Sequence, residues 1–284
     1  MDAPRAARRY RPRQLPIVEL DHGRVLAAEP YQGVLRELGL DTVAGAVSFD
    51  GGEVVREAGP RVTRRIETAA GALYLKSYAR ADLRHRWLGW LLPSRSPGHR
   101  EWDNLRLLRR AWFDVPEMVA VGDAPIGPGR PCESFLVLRE IPGRRLDHLL
   151  EDGWGAFPGL SAAQARDRVV RDVAGLVRRL HSSGFYHRDL YLAHFVVTED
   201  ERWGRPYLID LQRVEQRFPP RRRWLVKDLA AMAHSAPVTV TRADRLRFLL
   251  HYLCKSRVDP LVRQWVRAVT EKEARIAAHE PKFP

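Results

Sequence analysis

Two cysteines and three methionines in 284 residues leave little room for sulfur chemistry. Cys132 and Cys254 have no paired spacing, which argues against a disulfide framework or a cysteine metal site and fits a cytosolic home. No run of eighteen uncharged apolar residues occurs, so no segment is expected to span a bilayer. The opening MDAPRAARRYRPRQ is basic, yet no apolar stretch follows it, which argues against a secretory signal. Residues 1–14 read instead as a mobile basic arm. Repeats of fixed period and long low-complexity linkers are also missing.

Positive charge is abundant. The formal net charge is +13, most of it from arginine, and the pI is about 10.4. Such a balance favours anionic partners. Nucleic acid is not expected among them, because no recognition motif accompanies the charge. Apolar residues at 45% and a length of 284 suffice for one large domain or a two-lobed one with a real core.

Strand signals crowd the first half. SFDGGEVVRE places Gly51-Gly52 between short extended runs and predicts a tight hairpin. In RVTRRIETAAGALYLKSY, a small-residue turn at Ala69–Gly71 separates two arms, the second carrying Lys76. The patch LRHRWLGWLLPSRSPGHR interleaves Trp and Leu with Arg and has two readings: a core-packing insertion, or an interfacial segment with rings among lipid headgroups. EWDNLRLLRRAW then predicts a helix with Glu101, Leu105, Leu108 and Trp112 on one stripe. A carboxylate heading an apolar stripe points inward and calls for a cationic partner. Later segments are mainly helical. Ser161 with Gln164, and Thr241 with Asp244, make capping boxes.

Four residues stand in an order that carries chemistry. Lys76 lies on a strand and Glu101 on an inward helical face. Asp189 sits in YHRDLYLAHF, directly after a capped helix, and Asp210 follows the apolar PYLI twenty-one residues later. Phosphoryl transfer asks for a cation on the donor phosphates, carboxylates for a metal, and a carboxylate to take the acceptor's proton. Lysine with glutamate, an Asp after a strand, and the Asp of His-Arg-Asp meet those needs in protein kinases. Taken singly, each has a plainer explanation: a solvated lysine, a helix-terminal acid, a turn-capping Asp. Taken in order they predict an α+β, protein-kinase-like bilobal fold. A small β-rich N-lobe with one helix covers 15–139, including the Trp/Arg-rich insertion 83–100, and a larger, mainly helical C-lobe covers 140–284.

HRDLYLAH has His194 where protein kinases carry asparagine. With LIDLQR, LYLKSY, REWDNLRLL, Val115-Pro116 and Lys227–Ala230, it resembles the lipopolysaccharide-core kinases that phosphorylate heptose or Kdo sugars, over roughly residues 54–235. The resemblance implies ATP and Mg²⁺ as cofactors and a sugar hydroxyl of the inner core as acceptor. Asp189 would be the base, grouped with His187 and Arg188, the His187 ring propping the backbone. Lys76 would meet the donor phosphates and Glu101 would hold it. Asp210 would bind metal, and His194 would bind metal or a phosphate. Asp228 would brace the loop, and Glu140 and Ile141 would meet adenine. A glycine-rich phosphate loop is weak: EAGPRV offers only Gly59, with Arg61 assisting.

These implications point to an anionic glycolipid or sugar as partner. They place the protein in the cytoplasm, with peripheral contact on the cytosolic face of the inner membrane. PPRRRW, after the metal aspartate, is a candidate acceptor contact or a solvated Arg run. Rival readings are a kinase of protein or of another small hydroxyl compound, and a nucleotide-binding pseudokinase. Intact Lys76, Glu101, Asp189 and Asp210 argue against the last.

Overall fold

The computed structural model describes residues 15–79, 95–125, 131–157, 159–198 and 206–279. The basic arm and the Trp/Leu/Arg patch at 83–92 lie outside the described residues. The chain divides into two compact units, one of Met1–Ser96 with Met118–Val137, the other of Pro97–Glu117 with Leu138–Pro284.

Seven strands form the sheet of the first unit. β1 (Ile17–Leu20) and β2 (Val25–Ala28) precede two short helices, α1 (Gln32–Glu37) and α2 (Val43–Ser48). β3 (Glu53–Ala58), β4 (Arg61–Ile66), β5 (Leu73–Tyr78), β6 (Met118–Pro125) and β7 (Pro131–Arg139) complete it. The strand order is β1-β2-β6-β7-β5-β4-β3. Val25, Leu35, Leu73, Leu75, Val119 and Phe135 are fully enclosed in its core, each contributing roughly 1.5–3 kcal/mol.

The hairpin expected at Gly51-Gly52 is not there. VAGAVS before it is helical, because Thr42 caps Gly45 N–H and Val43 and Ala46 bury on one face. The hairpin comes one strand later, where β3 and β4 pair through Ala58 and Arg61 and Gly59 takes φ 56° at the tip. No added Cβ would clash at Gly59, so the backbone conformation alone calls for glycine there. The turn at Ala69–Gly71 does join β4 to β5, with Ile66 opposite Leu73.

The second unit opens with α3 (Pro97–Arg110). Glu101, Leu105 and Leu108 are buried on it as the stripe predicts, but Trp112 is not. The helix ends before Trp112, which turns to φ 63° and leaves its ring exposed, while Trp102 is buried instead. β8 (Gly143–Arg145), α4 (Leu146–Glu151), α5 (Ala162–Ser182), β9 (Phe185–Tyr186), β10 (Phe195–Thr198), β11 (Tyr207–Leu208) and β12 (Glu215–Gln216) follow. α6 (Arg222–His234), α7 (Arg242–Leu253) and α8 (Pro260–His279) complete the unit.

Both capping boxes form. Gly184 closes α5 at φ 76°, and the Phe218 ring lies 2.7 Å from where a Cβ would stand. Small sheets β11-β10-β8 and β12-β9 hold the segments on either side of the loop after β9. Among the described residues no helix is long and apolar enough to cross a membrane.

Candidate active site

The loop from His187 to His194, between β9 and β10, is fixed from beneath by one buried carboxylate. Asp228 on α6 is fully enclosed. Its Oδ2 accepts from the His187 N–H at 2.7 Å and its Oδ1 from the Arg188 N–H at 2.8 Å. His181 Nε2 donates to Oδ2 at 3.3 Å, and the Tyr252 hydroxyl shares a hydrogen bond of 2.8 Å with His181 Nδ1. Burial pushes the Tyr252 phenol above its ordinary range. Arg188 takes φ 71°, a conformation that costs a non-glycine residue roughly 1–2 kcal/mol. The charge-assisted bonds to Asp228 offset that cost.

His187 packs inside the loop. Its Nε2–H donates to the Ile209 carbonyl at 3.1 Å, and its ring stacks on His194 with centroids 5.4 Å apart. Burial first, and then the neighbouring His194, hold its pKa below the ordinary imidazole value. A neutral His187 follows, propping the Asp210 segment rather than transferring protons.

Asp189 projects from this scaffold with its side chain 24% exposed. Arg213 Nη1 lies 2.9 Å from its Oδ1 and 2.7 Å from its Oδ2. Lys227 Nζ stands 3.9 Å from Oδ1 and donates to the Arg188 carbonyl. His194 Nδ1 is 2.7 Å from the Asp189 carbonyl oxygen. A carbonyl only accepts, so Nδ1 carries a proton. Nε2 faces Asp210, 3.7 Å from Oδ2.

Asp210 adopts φ 56° just beyond β11, where Ile209 N–H donates to the His194 carbonyl at 3.0 Å. Two donors at this spacing can share one cation. No group of three or more His, Cys, Asp or Glu side chains suited to a metal occurs among the described residues.

Asp189, His187, Arg188, His194 and Asp210 are thus gathered in the second unit. Lys76, Gly59 and Arg61 belong to the first. Lys76 is 8% exposed on β5, opposite Thr63, and Gly59 and Arg61 stand at the β3–β4 hairpin. The Arg61 guanidinium lies 5.8 Å from the centre of the Tyr78 ring. Glu101 is enclosed on α3, and Glu140 and Ile141 follow β7.

Four neighbours were not assigned from sequence. Asn104 on α3 donates to the carbonyls of Leu211 (2.7 Å) and Val214 (3.1 Å), pinning the segment after Asp210. It lies three residues after Glu101, so helical spacing could have placed it on a neighbouring face. Arg213 and Lys227 stand inside the quoted strings LIDLQR and Lys227–Ala230 without any sign of their reach. Glu215 pairs with both Arg188 and Arg217, and Arg188 also lies over the Trp224 ring at 5.0 Å. Burial alone would raise the Glu215 pKa, but the Arg217 hydrogen bond and the Arg188 charge outweigh it and hold it low.

Residues 46–252 match the family model described as the lipopolysaccharide kinase (Kdo/WaaP) family. The lipopolysaccharide core heptose(I) kinase WaaP of Pseudomonas aeruginosa is 33% identical over 244 residues, spanning 81% of this chain and 86% of that protein. A WaaP of Escherichia coli with the same description is 29% identical over 233 residues, spanning 79% and 86%. A solved structure described as WaaP in complex with acyl carrier protein has a TM-score of 0.65 and 28% identity, and covers 91% of this chain and 100% of its own.

Proposed function

The chain belongs to the lipopolysaccharide kinase (Kdo/WaaP) family, and from that premise we propose that it moves the γ-phosphoryl group of ATP to a hydroxyl of heptose(I) in the lipopolysaccharide inner core. Family membership makes it a phosphotransferase that uses ATP and a sugar acceptor. The heptose(I) assignment rests on likeness to the Pseudomonas and Escherichia proteins.

The observation that carries the mechanism is the grip of Asp228 on the His187 and Arg188 amides, which leaves the next carboxylate, Asp189, on a fixed stalk facing outward. Asp189 takes the proton of the acceptor hydroxyl, geometry being the main requirement on such a base. Arg188 anchors the segment after Asp210 through Glu215. Lys76, with Gly59 and Arg61, is assigned to the donor phosphates, Glu101 to holding a cationic partner, and Glu140 and Ile141 to adenine.

Mg²⁺ suits Asp210 Oδ2 together with His194 Nε2 in the neutral ring whose proton is on Nδ1. When bound it would neutralise phosphate charge. The closeness of His194 Nε2 to Asp210 Oδ2, 3.7 Å, supports the metal role over a phosphate contact.

The acceptor is an anionic glycolipid in this reading, and the net charge of +13 suits it, as it suits peripheral contact with the inner membrane. By likeness to the relative solved with acyl carrier protein, such a carrier is a partner here too. A cavity of about 970 Å³ in the second unit, lined by Leu146, Leu150, Val170, Leu229, Met232 and Phe248, has the room and apolar walls for an acyl chain.

The test is direct. Purified protein is incubated with ATP, Mg²⁺ and core glycolipid lacking the phosphate, and the product is read by mass spectrometry. One phosphate on heptose(I) is expected. Phosphate appearing only on Kdo, or only on a protein substrate, would overturn the acceptor assignment.

A further inference from the structure

Arg213 follows Asp210 by three residues and reaches back to Asp189, so a single side chain spans from the metal side of the site to the base. Both of its contacts use one nitrogen, Nη1. A guanidinium carries five N–H donors in a fixed plane. The donors on Nη2 and Nε are not spent on Asp189. The Arg213 side chain is 55% exposed, while the backbone beneath it is held on both sides by Asn104 through Leu211 and Val214. A firm backbone bearing an exposed, half-used guanidinium adds little to stability, because exposed ion pairs contribute little. It does fix a positive charge beside the base. Lys227 is less suited to that part, being 24% exposed and already turned to the Arg188 carbonyl.

We infer that Arg213 is a catalytic residue of the transfer, holding Asp189 through Nη1 while Nη2 and Nε donate to the oxygens of the transferring phosphoryl group. The inference rests on the kinase reading above. In the transfer, the acceptor oxygen bonds to the γ-phosphorus as the bond from that phosphorus to the β–γ bridging oxygen breaks, the electron pair leaving with ADP. The acceptor's proton passes to Asp189, whose carboxylate becomes neutral. Arg213 thus loses its ionic partner as charge spreads over the equatorial phosphoryl oxygens, and its full charge serves them instead.

Steady-state kinetics of R213Q, R213K and R213A beside the unmodified protein, with ATP and core glycolipid, test this. In R213Q, kcat is expected to fall by about 100-fold or more while KM for ATP and for acceptor each stay within about threefold. R213K should fall between. Guanidinium chloride at a low, non-denaturing concentration should restore part of the R213A turnover, a response that a merely structural arginine would not give. Thermal midpoints should shift by no more than about 2 °C.

Unchanged kcat with a raised acceptor KM would overturn the inference and make Arg213 a reader of the acceptor. So would a kcat loss that neither Lys nor guanidinium relieves and that comes with a lowered thermal midpoint. In both cases the kinase reading survives, because the unmodified protein still transfers phosphate. If the unmodified protein transfers none, both fall together.

Discussion

Two aspartates, one within the loop after β9 and one beneath it, stand in opposite surroundings. Asp228 is fully enclosed and spends its oxygens on two main-chain amides and a buried imidazole. Asp189 is partly exposed, and among the described residues its oxygens meet the ends of long cationic side chains. Backbone donors inside a protein cannot move without unfolding what carries them, so Asp228 is committed. Arginine and lysine tips at the rim exchange partners at little cost, so Asp189 is not committed in the same way. In the proposed mechanism the same side chain becomes a rivet or a reagent according to what donates to it.

Removing the reagent should have the largest effect on activity. Asp189→Asn is expected to lower kcat by about 10²–10⁴-fold, the share usual for a general base, with thermal stability preserved. A purified variant that still turns over at the original rate would break the contrast. Removing the rivet should show first in stability. Asp228→Ala leaves two buried amides without acceptors and should cost on the order of 3 kcal/mol, read from the midpoint of a denaturant titration, with activity falling as the loop loosens. A variant as stable as the parent would mean that water takes over the role of Asp228.

The smallest effect tests an intermediate case. Glu215 is half-buried between two arginines, and its pKa is held below the ordinary value. A depressed carboxyl pKa means that the unfolded chain binds the proton first as pH falls. The contribution of Glu215 is therefore complete above the unfolded value of 4.5 and is lost as pH drops through the lower folded value. The difference in thermal midpoint between the parent and E215Q should be steady from neutral pH to about 5 and close below 4.5. A difference that persists at low pH would assign Glu215 a role independent of its charge.

Much of the architecture was legible in the residues. The capping boxes at Ser161 and Thr241 set two helix starts because they are local, three residues from end to end. The α3 stripe buried Glu101 because helical spacing is local too. Where the reading failed, a local signal was weak or overruled. Gly51-Gly52 resembled a turn, but capping by Thr42 and the small residues before it favoured a helix. Trp112 kept helical phase in sequence after the helix itself had ended. The site was legible as a list and an order of residues, and not as a set of contacts.

By itself the sequence determined which groups are available and in what order: a strand lysine, an inward glutamate, His-Arg-Asp with a histidine five places on, and an aspartate after an apolar strand. It also determined the family, since those strings are specific. Only the tertiary structure decided that Asp228 grips the loop across 41 and 40 residues of chain, and that Arg213 turns back 24 residues to Asp189. The placement of His194 Nε2 3.7 Å from Asp210 was decided there too. Periodicity and capping act over one or two turns, whereas these pairs are set by how whole helices and strands pack, and that leaves no mark on neighbouring residues.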